Sequence, residues 1–444
     1  ISNDALLLNP NNKDRFSIDV NIGNSSKFVS NPFSTAIKTG NINKDFTFFF
    51  RHSYDLGKKD SIIINDSTTE YVFFPKLRIQ HSFSYSTYSY SFLDIAADSL
   101  IYKTWYNVYL PSPIDTFSLK EKWNVTSNDL SLIQFPDTRN AAQFFLAGIT
   151  MQNIKGEFTS GISIFYNMIL HGEYRNRTRN KKWDVLLKGE FYVSGRNSGD
   201  YSVSASLDRY LNKKLGNVHL FFNNVNRSPS FIFSKRSSFN LGTSHDNKEN
   251  IISFGASSTN RILNVGFKNH LVTNYSYFTN YYQSDYYNKV INILQLFASK
   301  KLRITKHWNW YIEAVLQQTD GAAPVKVPLL FTRNRLAYEG RFYKNLNISA
   351  GLEARYYSPY KANNYSPVIS QFVPQDTVTI SNLPDVTAFL HFRIKNFTAF
   401  VRAENLNTVS GKNGFAFINN NFAAPHYPTQ GFMLRLGIQW WFVN

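Results

Sequence analysis

Cysteine is absent from this 444-residue chain. A disulfide framework, thiolate metal sites and a cysteine nucleophile are thereby excluded. Long apolar runs are missing too: no stretch approaches the ~18 consecutive residues that a membrane helix needs. Helical periodicity is nearly absent. The nine histidines are scattered, without HExxH or paired-His spacing, so no metal, cofactor or enzymatic centre is expected. His171, His270 and His391 are each read as standing alone on polar faces. His52 and His81 fall near Ser53 and Ser82, but strand parity turns those serines to the opposite face. Glycine-rich phosphate loops are lacking, and GRNSG at 195–199 reads as a hairpin turn. No leader signal precedes Ile1, Ser2 and Asn3, as expected of an exported chain whose signal peptide has been removed.

What is present is aromatic and basic. The chain holds 39 Phe, 27 Tyr and 7 Trp, 16% of all residues. Mean hydropathy is nevertheless -0.32. A lipid-facing barrel reconciles the two, because it alternates apolar with polar positions and carries aromatic girdles at both interfaces. The formal net charge is +18. The basic residues are spread along the chain, often at alternate strand positions, which favours a cationic lumen or anionic lipid head groups over nucleic acid.

Period-two alternation recurs from about residue 44 to the end. In 329–343 the odd positions give Arg333, Arg335, Glu339 and Arg341, the even ones Leu330, Leu336, Tyr338 and Phe342. In 347–356, Ser349, Glu353 and Arg355 oppose Ile348, Ala350, Leu352 and Ala354. In 385–394, Thr387, His391 and Arg393 oppose Val386, Ala388, Leu390, Phe392 and Ile394. In 397–405, Thr398, Arg402 and Glu404 oppose Phe397, Ala399, Val401 and Ala403. In 431–442, Arg435 and Gln439 oppose a lipid-facing row of Phe432, Leu434, Leu436, Ile438, Trp440 and Phe442. Earlier candidate strands are 44–54, 76–91, 124–134, 142–152, 158–174, 182–194, 200–211, 217–225, 237–245, 250–259, 263–278, 288–304 and 307–319. The up-down order is inconsistent over 226–262.

Connections alternate in length. Residues 344–346 and 395–396 are tight, whereas 358–384 and 407–429 are long and rich in Asn, Pro and Ser. The expected fold class is all-β: a single transmembrane antiparallel β-barrel of about 18 strands, with 16 as the alternative, short periplasmic turns and long extracellular loops. Residues 1–43 form an N-terminal segment that is either a first strand or lumen-facing, and 44–444 form the barrel. A TonB-dependent transporter, with 22 strands and a plug domain, is not expected at this length.

Several segments resemble the "putative porin" family of the Bacteroidetes outer membrane. They are YVSGRNSGDYSV (192–203), NRSPSF (226–231), VPLL (327–330), EARYYSPY (353–360), LPD (383–385), VRAENL (401–406), YP (427–428) and the ending GIQWWFVN (437–444). The likeness is densest over 180–444 and looser over 70–180. It implies a Gram-negative outer-membrane barrel of untested substrate. Barrels that resemble this one close with an aromatic-rich last strand, which the assembly machinery reads.

The polar faces of neighbouring strands are expected to converge on the lumen. That collects Arg333, Arg335, Arg341, Arg355, Arg393, Arg402 and Arg435, with Lys301, Arg303, Lys268 and Lys188 from earlier strands. Glu190, Glu313, Glu339, Glu353 and Glu404 are interspersed. One consequence is a channel that prefers anions. The other is an electrostatic truss, with Arg and Glu pairing across strands. Loop residues Trp105, Tyr106 and Tyr109 are candidates for sugar contact or for loop packing, and the basic cluster 175–182 for lipid phosphates or a solvated turn. The expected function is passive diffusion of small hydrophilic solutes. The alternative is a non-conducting barrel that serves an outer-membrane protein complex as structural or adaptor subunit. Expected partners are outer-membrane lipid and lipopolysaccharide, small solutes, and in the alternative a membrane protein.

Overall fold

The computed structural model describes residues 39–65, 68–180, 182–239, 247–410, 416–417, 421–425, 427–429 and 431–442. The expectation for residues 1–43 lies outside them up to residue 38. Seventeen strands carry the antiparallel ladders of the large sheet. They are β1 (Thr39–Asn65), β2 (Thr68–Asp98), β3 (Ile114–Gln134), β4 (Gln143–Phe158), β5 (Gly161–Arg177), β6 (Trp183–Gly195), β7 (Tyr201–Asn212), β8 (Gly216–Arg227), β9 (Glu249–Thr259) and β10 (Asn264–Thr273). There follow β11 (Ile291–Arg303), β12 (Trp308–Thr319), β13 (Leu330–Phe342), β14 (Leu346–Tyr357), β15 (Asp385–Ile394), β16 (Phe397–Glu404) and β17 (Met433–Trp440). Seventeen of the eighteen candidate segments coincide with a strand. The exception is 237–245: residues 237–239 form a turn after a short 3-10 helix, Phe231–Phe233, and 240–245 lie outside the described residues.

The chain divides into two compact units. One holds 41–258 and 268–292; the other, among the described residues, holds 39–40, 259–267 and 293–442. In the first unit each strand from β2 to β8 pairs antiparallel with the next. The ladder slips between Met168 and Ile169, beside Gly195. Gly195 has φ +101°, and a Cβ there would strike the Tyr166 carbonyl oxygen. Only glycine lets the two backbones approach this closely at the bulge. In the second unit β11 to β17 pair in the same consecutive way.

Alternation along these strands separates two faces. On β17, Leu436 is 67% exposed and Ile438 74% exposed. The same face of β16 and β15 carries Val401 and Leu390, opposite each other in register. Apolar rows of this length in contact with water would be a severe liability for a soluble protein. In hydrocarbon they are solvated, and the fully paired ladders leave no strand edge between neighbours to satisfy.

Connection lengths fall into two alternating sets, one mostly short and one mostly long. Alternate connections are 66–67, 135–142, 178–182, 213–215, 260–263, 304–307, 343–345 and 395–396. The others are 99–113, 159–160, 196–200, 228–248, 274–290, 320–329, 358–384 and 405–432. The second set has two short members, 196–200 and 159–160, and the latter lies beneath a neighbouring loop: Thr159 N–H donates to Ser238 Oγ (3.0 Å) and Ser160 Oγ to the Arg236 carbonyl (3.0 Å).

Candidate functional site

In the second unit the register aligns the charged positions of β11 to β17 on one face. Glu313 stands opposite Arg333, and Arg333 opposite Arg355. Arg333 and Arg355 converge on Glu353, at 2.7 and 2.6 Å. Glu353 is only 4% exposed, so its two cationic partners replace most of its hydration. A second cluster forms around Glu339, which accepts from Tyr311 Oη (2.6 Å), Asn309 Nδ2 (2.8 Å) and Lys301 Nζ (3.3 Å). A third joins Glu404 to Arg435 (3.1 Å) and Arg402 (3.5 Å). Arg335 lies over the Phe389 ring at 4.4 Å. Phe389 belongs to this face because it pairs with Arg402. The face therefore holds apolar inserts that the charge pattern alone conceals.

Three candidates stay apart from these clusters. Arg341 bonds Asn347 (3.3 Å), and Arg303 and Arg393 bond backbone carbonyls of 305–306 and 395 at the short turns. Lys268 lies in the other unit. Along this face nine cations (Lys301, Arg303, Arg333, Arg335, Arg341, Arg355, Arg393, Arg402 and Arg435) accompany five carboxylates (Glu313, Glu339, Glu353, Asp385 and Glu404).

The polar face of the first unit differs in balance. Carboxylates match its cations, with pairs Arg78–Asp55 (2.6 Å), Arg175–Asp184 (2.8 Å) and Lys188–Glu173 (3.0 Å). Its centre is Asp129. That carboxylate accepts from Ser131 Oγ (2.7 Å) and Thr150 Oγ1 (2.8 Å) and bonds His171 Nε2 (2.5 Å). His171 is thus not alone, contrary to expectation, because Gly148 of β4, which stands in register between Ser131 and His171, has no side chain to block the imidazole from Asp129. His270 also has a partner: its Nδ1 lies 2.7 Å from Ser253 Oγ. His391 lies near the rings of Phe389 and Phe400. His52 and His81 meet ring to ring at 5.0 Å, while Ser82 turns away to accept from Arg51 (3.3 Å). The basic cluster is largely spent on ion pairs at the short turns. Arg179 bonds Asp137 and holds its carboxyl below the usual carboxylate range.

Loops build over the first unit at the end opposite the short turns. Residues 228–239 leave β8 and reach the polar face of β3 to β5. Phe231 meets Trp123, Phe158 and Phe165 with ring centroids 4.8, 4.6 and 5.8 Å away, and Arg196 lies over it at 4.4 Å. Ser238 N–H donates to Glu121 at 2.7 Å, and Glu121 is 7% exposed. Five strand spacings separate β3 from β8, roughly 24 Å of sheet, so the loop lies across that face. Its root is tied by Asp200, which accepts from Lys248 Nζ (2.8 Å), Ser228 Oγ (2.9 Å) and Asn197 Nδ2 (3.0 Å). Burial pushes the Asp200 carboxyl up, but these bonds outweigh it and hold it below its ordinary value.

A helix, α1 (Ser99–Tyr106), caps the β2–β3 connection. Asp98 is its N-cap, accepting from Leu100 and Ile101 N–H at 2.9 and 3.0 Å. Its Trp105 and Tyr106 pack on Tyr281 of the β10–β11 connection, at 5.5 and 5.9 Å. Burial raises the Tyr281 phenol. Tyr109 remains 71% exposed, with Lys103 over its ring. Loop packing therefore accounts for Tyr106 in full and for Trp105 in part.

In the second unit the two longest loops lock together. Asn382 and Phe422 exchange hydrogen bonds at 2.8 and 2.9 Å. Asn421 accepts from Leu383 N–H (2.9 Å) and donates to the Leu383 carbonyl (2.8 Å). The Tyr365 and Tyr427 rings meet edge to face at 5.5 Å. The segments LPD and YP thus sit at one loop junction.

Several solved structures share this fold. The ferric enterobactin receptor PfeA of Pseudomonas aeruginosa, in mutant form, matches at TM-score 0.58 and 11% identity, covering 90% of this chain and 62% of its own. The siderophore receptor PirA of Acinetobacter baumannii matches at 0.56 and 10%, covering 90% and 63%. The FrpB iron transporter of Neisseria meningitidis matches at 0.53 and 9%, covering 90% and 69%. The chain spans less than two thirds of the first two receptors' length, and at these identities the likeness is one of fold. No curated protein matches. A family model described as "putative porin" matches residues 11–444. The two-faced strands, the fold shared with these receptors and this match across nearly the whole chain make it a member of the putative porin family, with an outer-membrane β-barrel architecture.

Proposed function

We propose that the strands close into one barrel from residue 44 to 444 and that the barrel is a pore for passive diffusion of small hydrophilic solutes. The observation that carries this reading is the separation of faces. Apolar rows such as Leu434, Leu436 and Ile438 stand exposed, while Arg333, Glu353 and Arg355 occupy the other face. The apolar rows meet hydrocarbon and lipopolysaccharide acyl chains, and the charged rows meet water in the lumen. The excess of cations over carboxylates in the second unit supports a preference for anions, moderated by the pairs that Glu353, Glu339 and Glu404 make. Purified protein in planar bilayers tests this: stable conductance steps are expected, with a reversal potential in a salt gradient displaced toward the anion.

A second reading rests on the loops. Residues 228–239 lie across the polar face of the first unit, held at Glu121 and Phe231. If they block the lumen, the barrel is a structural or adaptor subunit of a membrane complex. It would then be electrically silent and co-purify with a partner.

A further inference from the structure

We infer that the polar face of the first unit holds a binding site for an uncharged polyhydroxy ligand, a saccharide or polyol. The site centres on the Asp129–His171 pair, in a cavity of about 380 Å3. That volume lies within the roughly 300–1,000 Å3 of small-molecule sites. The inference rests on the reading that this face meets water.

Two features make the cavity a prepared site. First, its base is rigid. Ser131, Thr150 and His171 all bond Asp129, so the carboxylate and imidazole are fixed before any ligand arrives. Second, polar groups around that base are left unengaged. Glu190 stands opposite His171 in the ladder. Among the described residues, neither the Glu190 carboxylate nor the Gln80 amide has a hydrogen-bond partner.

The chemistry of the lining selects the ligand class. Carboxylate, amide, hydroxyl and guanidinium groups mix acceptors with donors, which matches vicinal hydroxyls that do both. Charge-assisted bonds, donated by neutral hydroxyls to Asp and Glu carboxylates or by Arg to hydroxyl oxygens, are the stronger kind. An anion would face Asp129 and Glu190 with Arg51 alone to balance them. A metal ion is disfavoured, since no group of three or more His, Cys, Asp or Glu able to hold one occurs among the described residues. Phe49 supplies the apolar platform. It is 54% exposed on the polar face, with Arg51 over its ring at 5.0 Å, whereas Phe48 and Phe50 alternate to the other face. An exposed phenyl ring among hydroxyl and amide groups, with one face left open by Arg51, suits the C–H face of a sugar ring.

The test is saturation-transfer difference NMR on the full chain in detergent, with maltose and D-glucose as probes and sodium phosphate as competitor. A saturable saccharide signal is expected, indifferent to phosphate, with affinity falling about tenfold in Glu190→Gln and in Gln80→Ala. Both side chains are unengaged, so folding is preserved, and heat-modifiable gel migration verifies it. Absence of a saccharide signal from folded protein overturns the inference, as does a signal unchanged in both variants or displaced by phosphate. Bilayer recording separates this from the pore reading. A conducting protein without a signal refutes the site and keeps the pore. A silent protein with the signal refutes the pore and keeps the site.

Discussion

The Phe231 ring meets the Trp123 ring edge to plane, with centroids 4.8 Å apart and an interplanar angle of 89°. Trp123 belongs to β3, and Phe231 follows β8. The contact holds a loop across the polar face. Phe231→Ala would remove part of the cluster with Phe158 and Phe165, costing about 2 kcal/mol, since the ring is only half-buried and full-core Phe→Ala costs ~3–5. The expected result is a larger and noisier single-channel conductance with the strands intact by circular dichroism. An unchanged conductance would mean that this loop does not narrow the path.

Asp200 ties the root of the same loop. Its folded carboxyl lies below the ordinary value: burial raises it, but Lys248, Ser228 and Asn197 lower it further. The stabilisation is therefore complete above the unfolded value of about 3.9 and fades as pH falls through the lowered folded value. Asp200→Asn should loosen the loop at neutral pH by about 1.5–3 kcal/mol, the range for hydrogen bonds to a charged group. Limited proteolysis between 228 and 248 reads this out. Cleavage of the wild type should rise only in strong acid, whereas the variant should be cleaved at pH 7.

Glu353 holds two guanidinium groups, and removing it takes the paired carboxylate from Arg355 and leaves Arg333 with Glu313 alone, 3.6 Å away. Glu353→Ala is expected to destabilise the fold by about 3 kcal/mol, the lower end for a broken buried pair because Arg333 and Arg355 are partly wet. The same change adds one net positive charge to the face. Urea unfolding in vesicles should show the loss, and the reversal potential of the surviving channel should move further toward the anion.

On the apolar face the penalty runs the other way. Leu436→Arg places a cation in the exposed row of β17 and should cost roughly 2–4 kcal/mol near the bilayer midplane. Leu436→Ala should cost far less. Equal unfolding midpoints for both variants would show that the row does not meet hydrocarbon.

The wall was legible in the sequence because its physics is local. Each strand sets its own alternation, and β13 to β17 begin and end within about two residues of the 3.6-free, period-two segments that betray them. The loops were not legible. Phe231 packs against β3, β4 and β5 and Phe233 against Phe278 of the β10–β11 connection, so an apolar stretch follows β8 without strand pairing; of the candidate strand 237–245, residues 237–239 form a turn. The charged rows of the second unit follow from parity, and the register brings Arg333, Glu353 and Arg355 together. Asp129 escaped because a single Asp at one alternate position gives no local signal. Its partners Thr150 and His171 lie 21 and 42 residues away. Parity with Ser127 and Ser131 was the one available clue.

The native chain has no cysteine, so single cysteines placed at 434 to 439 along β17 report each position separately in intact outer membranes. A water-soluble maleimide should label positions 435 and 439 through the lumen and spare 434, 436 and 438, which a lipid-soluble reagent should reach instead. Uniform labelling along the strand, or water access to 434, 436 and 438, would contradict a wall with hydrocarbon on one side and water on the other.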